Sequence, residues 1–490
     1  MRVLLVYPRN PETFWSFKHV LRFVARKSAF PPLGLLTVAA MLPRDWELRL
    51  VDLNVRPLAE ADLDWADVVF LSGMIVHKVS AHEVARRCAA RGKTVVAGGP
   101  LFTTGHAGFP EIRHFVLGEA EEVMDELVAD LRSGALKPFY RSARFPDVRR
   151  TPVPRWDLVN LHDYVTMPVQ FSRGCPFDCE FCDIVVMNGR VPRTKDPAQV
   201  IAELEALRSR GWRDMVFIVD DNFIGNRKRT RALLEAIIEW RRATGTEIGF
   251  LTEASVNLAD DKALLDRMVE AGFKKVFVGI ETPVPEALAE CNKRQNVKRD
   301  LAATVRTLQA AGLEVMGGFI VGFDSDTRDI FRRQFEFIQR SGVVTAMVGL
   351  LNALPQTALY RRLAAEGRIL AETLGNNTDA AINFVTRLDR EFLVSGYREL
   401  MRRLYEPANY YRRIRTFLCA WRPRGPVTHL SASDVRAFLR SLWVLGVRER
   451  GRLAYWRLLL ATLLASPRKF RAAVELAVMG HHFRRVAEGL

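Results

Sequence analysis

Three cysteines fall within eight residues in Arg173-Gly-Cys175-Pro-Phe-Asp-Cys179-Glu-Phe-Cys182-Asp, spaced C-x3-C-x2-C. Thiolate is a soft ligand that suits iron–sulfur clusters. Three on one short loop can grip one face of a cubane and leave its fourth iron open to a substrate. Zinc would want a fourth Cys or His close by, and this spacing supplies none. The other cysteines, at 88, 291 and 419, are scattered and read as incidental thiols. Such a distribution is no disulfide framework, and the expectation is a metal site in a reducing compartment.

A cluster-bearing loop needs strands to hold it. Short apolar, β-branched runs at 3–7, 48–51, 68–71, 94–97 and 115–117 alternate with helical patterns at 35–42, 81–91 and 120–132. That order predicts a doubly wound, flavodoxin-like (Rossmann-type) α/β domain over residues 1–145, with its ligand at the carboxyl ends of the strands. No G-x-G-x-x-G follows the first run, which argues against a dinucleotide site. A Pro/Arg-rich stretch at 145–156 opens an expected linker over 146–165. Strand patterns at 169–172, 216–220, 248–252, 276–279, 315–321 and 345–350 then alternate with helical ones at 198–209, 227–244, 261–271, 301–311 and 328–340. This series predicts a partial (β/α) barrel over 166–370, with functional residues on loops after strands. Residues 371–490 read as a basic helical domain with breaks at Pro407, Pro423, Pro426 and Pro467.

C-x3-C-x2-C directly after the first strand of a βα series resembles the radical S-adenosylmethionine superfamily. The resemblance implies a [4Fe–4S] cluster on Cys175, Cys179 and Cys182, whose open iron chelates the amino and carboxylate groups of S-adenosylmethionine. One electron then breaks the S–C5′ bond and yields a 5′-deoxyadenosyl radical. Phe181 matches the aromatic that the superfamily places near the adenine. Asp220, Asp221 and Asn222 end the second strand, where the superfamily binds the methionine amino group, although Asp221 or Asn222 could instead cap the next helix. Glu253 and Ser255 end the third strand, where the resemblance implies a ribose contact. Gly279, Glu281 and Gly322 belong to the glycine-bearing motifs of the fourth and fifth, where glycine can serve a ligand or only a turn.

An α/β domain ahead of such a barrel resembles the cobalamin-binding branch. The supporting pieces are Pro31-Pro-Leu-Gly34, Leu71-Ser72-Gly-Met74, Gly98-Gly99-Pro100 and Leu117-Gly118-Glu119-Ala-Glu121. The resemblance implies that Ser72, Met74, Gly98, Gly99, Gly118 and Glu119 meet cobalamin, the paired glycines leaving a slot for its nucleotide tail. Here Pro8-Arg9-Asn10-Pro11 follows the first strand in place of Asp-x-His-x-x-Gly, so cobalt should lack that histidine. His77, after the third strand, is either a cobalt ligand or a helix-start or surface residue.

The formal charge of +16 concentrates at the end: residues 401–490 hold 18 Arg/Lys against 5 Asp/Glu. Arginines and aromatics there interleave with apolar runs, which suits either contact with an anionic membrane or a bundle capping the barrel. Gly189-Arg-Val-Pro-Arg193, Val219-Asp-Asp-Asn-Phe-Ile-Gly225, Tyr455-Trp-Arg-Leu and His482-Phe-Arg-Arg485 resemble the subgroup that includes the hopanoid C-2 methylase. The implied activity is methyl transfer to an unactivated carbon of a small molecule of lipid or terpenoid kind, with a reductase, flavodoxin or ferredoxin as electron donor. The alternative is a non-methylating member that cyclises, contracts a ring or oxidises. Modification of tRNA would call for a second cysteine cluster in the first domain, which has only Cys88, so no nucleic-acid partner is expected. Without a signal peptide or a run of about 18–20 apolar residues, the expected location is cytoplasmic, at most peripheral on the inner face of the membrane.

Overall fold

The computed structural model describes residues 1–373, 375–376, 378–424 and 432–490; the expected break at Pro426 lies outside these. The first sheet is wholly parallel, in the order β2-β1-β3-β4-β5-β6. Its strands are β1 (Arg2–Tyr7), β2 (Glu47–Asp52), β3 (Val68–Ser72), β4 (Thr94–Gly98), β5 (His114–Leu117) and β6 (Phe139–Arg141). Both faces are buried, and the period-two alternation sorts the side chains between them. Leu4, Val6, Val69 and Leu71 join Ala81, Val84 and Cys88 on one side. Val3, Leu5, Val68 and Phe70 join Leu35, Ala39 and Leu127 on the other. Five strands are expected from the sequence and six form: β6 is a three-residue edge with one buried side chain, Tyr140, too short to carry a pattern.

The second sheet is also parallel and runs in the order β14-β13-β12-β11-β10-β7, an open barrel wall. It comprises β7 (Met167–Val169), β10 (Val216–Ile218), β11 (Phe250–Ala254), β12 (Phe273–Glu281), β13 (Glu314–Val321) and β14 (Ala346–Leu350). Between β7 and β10, a two-stranded hairpin of β8 (Ser172–Arg173) and β9 (Arg193–Thr194) brackets the cysteine loop. The stretch at 146–165 runs in short 3-10 turns and buries Trp156 and Tyr164. The Tyr164 hydroxyl donates to Asp52 Oδ2 at 3.1 Å, tying this stretch to β2.

The basic tail divides in two. The helices Arg390–Tyr405, Pro407–Ala420 and Phe470–Glu488 share the barrel core through Tyr397, Tyr405, Tyr410, Ile414 and Phe483. Half-buried Lys275 on β12 bonds Glu314 at 3.1 Å and Glu475 of the last helix, riveting that helix to the barrel. Fully buried Arg413 donates to Leu404 O and Gln339 Oε1, spending its charge on structure. By contrast, the helices Ala432–Trp443 and Arg452–Ala465 leave Leu439, Trp443, Leu453, Trp456, Leu460 and Leu464 facing solvent.

Candidate functional site

The cysteine loop is fixed from every side before any ligand is considered. Gly174 sits at φ +96°, and a Cβ there would meet the carbonyl oxygens of Gly189, Asn188 and Val191 at 2.9–3.0 Å, so only glycine fits. Its N–H donates to Asp221 Oδ2 at 2.8 Å, and Asn188 Nδ2 donates to the same oxygen. Cys175 N donates to Gly189 O and Cys182 N to Cys179 O. Glu180, between Cys179 and Cys182, is clamped by Arg362, at 2.5 and 3.0 Å.

The three thiols line a cavity of about 340 Å³. They do not converge on a point: among the described residues no three His, Cys, Asp or Glu side chains are spaced for a single metal ion. A cubane is gripped at separate corners, so the all-sulfur donor set fits one. Asn222 Nδ2 and Gln295 Nε2 lie 3.9 Å from the sulfurs of Cys175 and Cys179, placed to donate to a thiolate there. Burial raises all three thiol pKa values, so metal loading must release protons. Cys291 is no fourth ligand: it is buried outside the cavity lining, and its S–H points at Leu288 O, 3.6 Å away.

Phe181, Asp221, Asn222, Glu253, Ser255, Gly279 and Glu281, all expected at S-adenosylmethionine, line this same cavity. Two expected residues do not. Asp220 is buried beneath it, its oxygens accepting from Phe171 N (2.8 Å) and Ser172 Oγ (2.7 Å), so it anchors the start of the cysteine loop. Burial lifts its pKa to about 7, and burial beside Asp221 and Asp220 lifts Glu253 to about 8. Gly322 is the second: its N–H goes to Asp326 Oδ2 at 2.8 Å, closing a turn below the cavity.

Lys293 was not foreseen. It reaches in from the loop after the helix Pro285–Glu290 and donates to Glu281 Oε1 at 2.6 Å. Its ammonium also lies 5.9 Å over the Phe181 ring. Glu281 adopts φ +65°, rare for a residue with a side chain, where the β12–β13 register slips. A Cβ on Gly279 would strike Glu281 Oε1 (2.3 Å) and Lys293 Nζ (2.7 Å), so that glycine makes room for the ion pair. No sequence signal marks Lys293, which lies 111 positions beyond Cys182 in a plain polar run. Phe277, Phe319, Met347, Leu350, Leu351 and Leu354 give the cavity an apolar wall.

At the first sheet the strand ends present backbone. Gly99 has φ +90°, and a Cβ there would sit 2.6 Å from Ser72 Oγ. Gly118 has φ +85° with open space around it, and its N–H donates to Thr103 Oγ1. With Gly98 they make a shelf free of side chains, which fits a long nucleotide tail, and Met74 stands half-exposed beside it. Glu119 is already committed: its carboxylate takes Arg173 and Arg193, both at 2.5 Å, so it straps this shelf to the cysteine hairpin. His77 is neither surface residue nor free ligand. It is wholly buried just before a helix, accepts from Met74 N at 3.0 Å and pairs through Nε2 with Asn10.

Family models agree with this division of labour. Residues 21–128 match the B12 binding domain, 169–338 the radical SAM superfamily and 357–490 a domain of unknown function (DUF4070). An uncharacterized methyltransferase of Synechocystis (sll1242) is 42% identical, covering 100% of this chain and 92% of its own. The hopanoid C-2 methylase of Rhodopseudomonas palustris is 34% identical over 98% and 92%. In fold, the cobalamin-dependent S-adenosylmethionine radical enzyme OxsB, solved with aqua-cobalamin and S-adenosylmethionine, superposes with a TM-score of 0.64 at 15% identity, covering 98% of this chain and 84% of that one. The chain belongs to the cobalamin-binding radical S-adenosylmethionine methyltransferases. Its cofactors are those of that family: a [4Fe–4S] cluster, S-adenosylmethionine and cobalamin.

Proposed function

We propose that the protein methylates an unactivated carbon of an apolar, isoprenoid-type lipid that it meets at a membrane surface. The observation that carries this is the cavity's two-sidedness, with three thiols and a charged rim facing an aliphatic and aromatic wall. Cys175, Cys179 and Cys182 hold the cluster. Lys293 and Glu281 set a cation beside an anion, which matches the carboxylate and ammonium of the methionine end of S-adenosylmethionine. Asn222, Glu253 and Ser255 offer polar atoms to the ribose, and Phe181 a face to the adenine. Ser72, Gly98, Gly99 and Gly118 seat the cobalamin tail. When bound, these groups supply hydrogen abstraction and a methyl donor; the chain's own part is to orient the lipid carbon and keep water out. The apolar wall performs both tasks without offering a proton or nucleophile of its own.

No helix among the described residues is long and apolar enough to cross a membrane. The exposed face of Ala432–Trp443 and Arg452–Ala465 suits lying on one. Leu453 is 69% exposed and Leu464 84%. Each such side chain gains about 1.5–3 kcal/mol on full burial in an apolar phase, and the neighbouring arginines favour anionic headgroups.

The test is anaerobic turnover with S-adenosylmethionine labelled in its methyl group and candidate isoprenoid lipids in anionic liposomes. The expected result is label in the lipid, with S-adenosylhomocysteine and 5′-deoxyadenosine in comparable amounts. Deoxyadenosine with an unlabelled, altered lipid would instead establish a non-methylating radical enzyme. Leu460→Ser with Leu464→Ser should weaken sedimentation with those liposomes and leave iron content unchanged.

A further inference from the structure

A second cavity, open and about 580 Å³, lies outside the cysteine hairpin and shares no residue with the first. Arg144, Arg149, Arg150, Arg193 and Arg229 line it against only two carboxylates, Glu122 and Asp147, so its walls carry a net positive charge. Four of these arginines are solvent-facing, with Arg144 80% exposed. Asp147 and Asp196, the partners of Arg149 and Arg229, are exposed too, while half-buried Glu122 is shared between Arg144 and Arg150. Exposed pairs contribute about 0–1 kcal/mol, little enough to exchange for a partner's carboxylates.

The cleft's back wall is the hairpin itself. Arg193 donates to Asn188 O at 3.1 Å and to Pro146 O at 2.7 Å, and its guanidinium stacks 4.9 Å from the Phe145 ring. That ring closes on Gly189, where a Cβ would touch it at 2.7 Å. The carbonyl of the same Gly189 accepts from Cys175 N at 3.2 Å. One hairpin's thickness therefore separates the floor of the cleft from the first cluster ligand. The cavity lined by the three thiols shares no lining residue with this cleft, so a reductant docked here would leave that cavity clear.

We propose that the arginine cleft is the docking site for an acidic protein that carries single electrons, of the flavodoxin or ferredoxin kind. The proposal rests on the cluster assignment to Cys175, Cys179 and Cys182. The reduced carrier is oxidised by one electron, which takes the [4Fe–4S] group from its 2+ to its 1+ state, and no proton moves to the chain. Complementary charge speeds such an encounter and makes its rate fall with salt.

The experiment mixes the reconstituted enzyme anaerobically with a reduced acidic flavodoxin and follows bleaching of the cluster absorbance. Isothermal titration with the oxidised flavodoxin reads binding separately. Arg149→Glu with Arg150→Glu should slow bleaching at least tenfold at low salt, flatten its salt dependence and weaken flavodoxin binding. Bleaching by dithionite, which needs no docking, should be unchanged. Arg144→Glu with Arg229→Glu should act the same way, while Arg457→Glu with Arg468→Glu in the tail should not. The proposal is overturned if the cleft variants bleach at the parental rate with flavodoxin, or if the tail pair carries the effect. A protein that dithionite cannot bleach would refute the cluster assignment instead.

Discussion

The two strand-end faces solve opposite problems. At the first sheet, Gly98, Gly99 and Gly118 withhold side chains, and the nearest charges are drawn aside, Glu119 to Arg173 and Arg193. At the second, Asp221, Asn222, Lys293 and Glu281 line the cavity with polar groups already hydrogen-bonded, and Asp220 holds the cysteine loop from outside that lining. A large ligand with its own shape needs room and a smooth backbone. A reactive cluster and a small zwitterion need fixed donors, because misplacement there alters chemistry rather than fit.

Removing a thiol should have the largest effect. Cys175→Ser, Cys179→Ser or Cys182→Ser should abolish cluster iron and product formation while leaving cobalamin binding within about twofold. Iron and sulfide assays beside cobalamin absorbance check this. Parallel loss of both cofactors would mean that the two faces are one cooperative site.

Lys293→Met comes next. It strands Glu281 as a buried, unpaired carboxylate, which costs about 3–5 kcal/mol. Adding Glu281→Gln removes the stranded charge, so the double variant should regain most of the lost stability on denaturant titration. S-adenosylmethionine affinity, read by equilibrium dialysis, should stay weak in both. Recovery of affinity with stability would reduce the pair to scaffolding.

At the first sheet the expected effects are smaller and separable. Gly99→Ala meets both a left-handed backbone and Ser72 Oγ at 2.6 Å, whereas Gly118→Ala meets the backbone term alone. The first should cost about 1–3 kcal/mol and tenfold or more in cobalamin affinity. The second should cost about 1–2 kcal/mol, with a smaller affinity change. Equal effects would show that the close approach to Ser72 is irrelevant.

Much of this was legible because it is local. The spacing of Cys175, Cys179 and Cys182 is a property of one loop, and the helices Arg227–Thr244 and Leu301–Ala311 carry their whole period in sequence. The double parallel-sheet architecture follows from the alternation of apolar runs. What escaped depends on contacts across the fold. Lys293 becomes part of the site only when β12 and the loop beyond Pro285–Glu290 close over the cavity. Asp220 and Asp221 are neighbours in sequence, yet one hydrogen-bonds inward and the other lines the cavity, a distinction the pair Asp-Asp cannot express. Trp156 and Tyr164 sit in the stretch at 146–165, where single buried aromatics leave no periodic trace.

Acid offers the finest test, because the two faces should respond with opposite sign in the cofactor-free protein. His77 is held neutral by burial, with its pKa lowered to about 4 from an ordinary value near 6.5. As pH falls from about 6.5 to about 4, the unfolded chain takes up a proton that the folded one refuses, and the His77 contribution to stability at the first sheet is lost. Asp220 and Glu253 behave inversely, being raised to about 7 and about 8. Between those values and about 4 the folded state binds the extra protons, so stability near the second sheet grows as pH falls through that window. Hydrogen exchange resolved by peptide, corrected for intrinsic rates, should therefore show β1 and β3 less protected at pH 5 than at pH 8, and β10 and β11 more. His77→Gln should flatten the first trend and leave the second. A common shift of both sheets would show that the faces do not titrate independently.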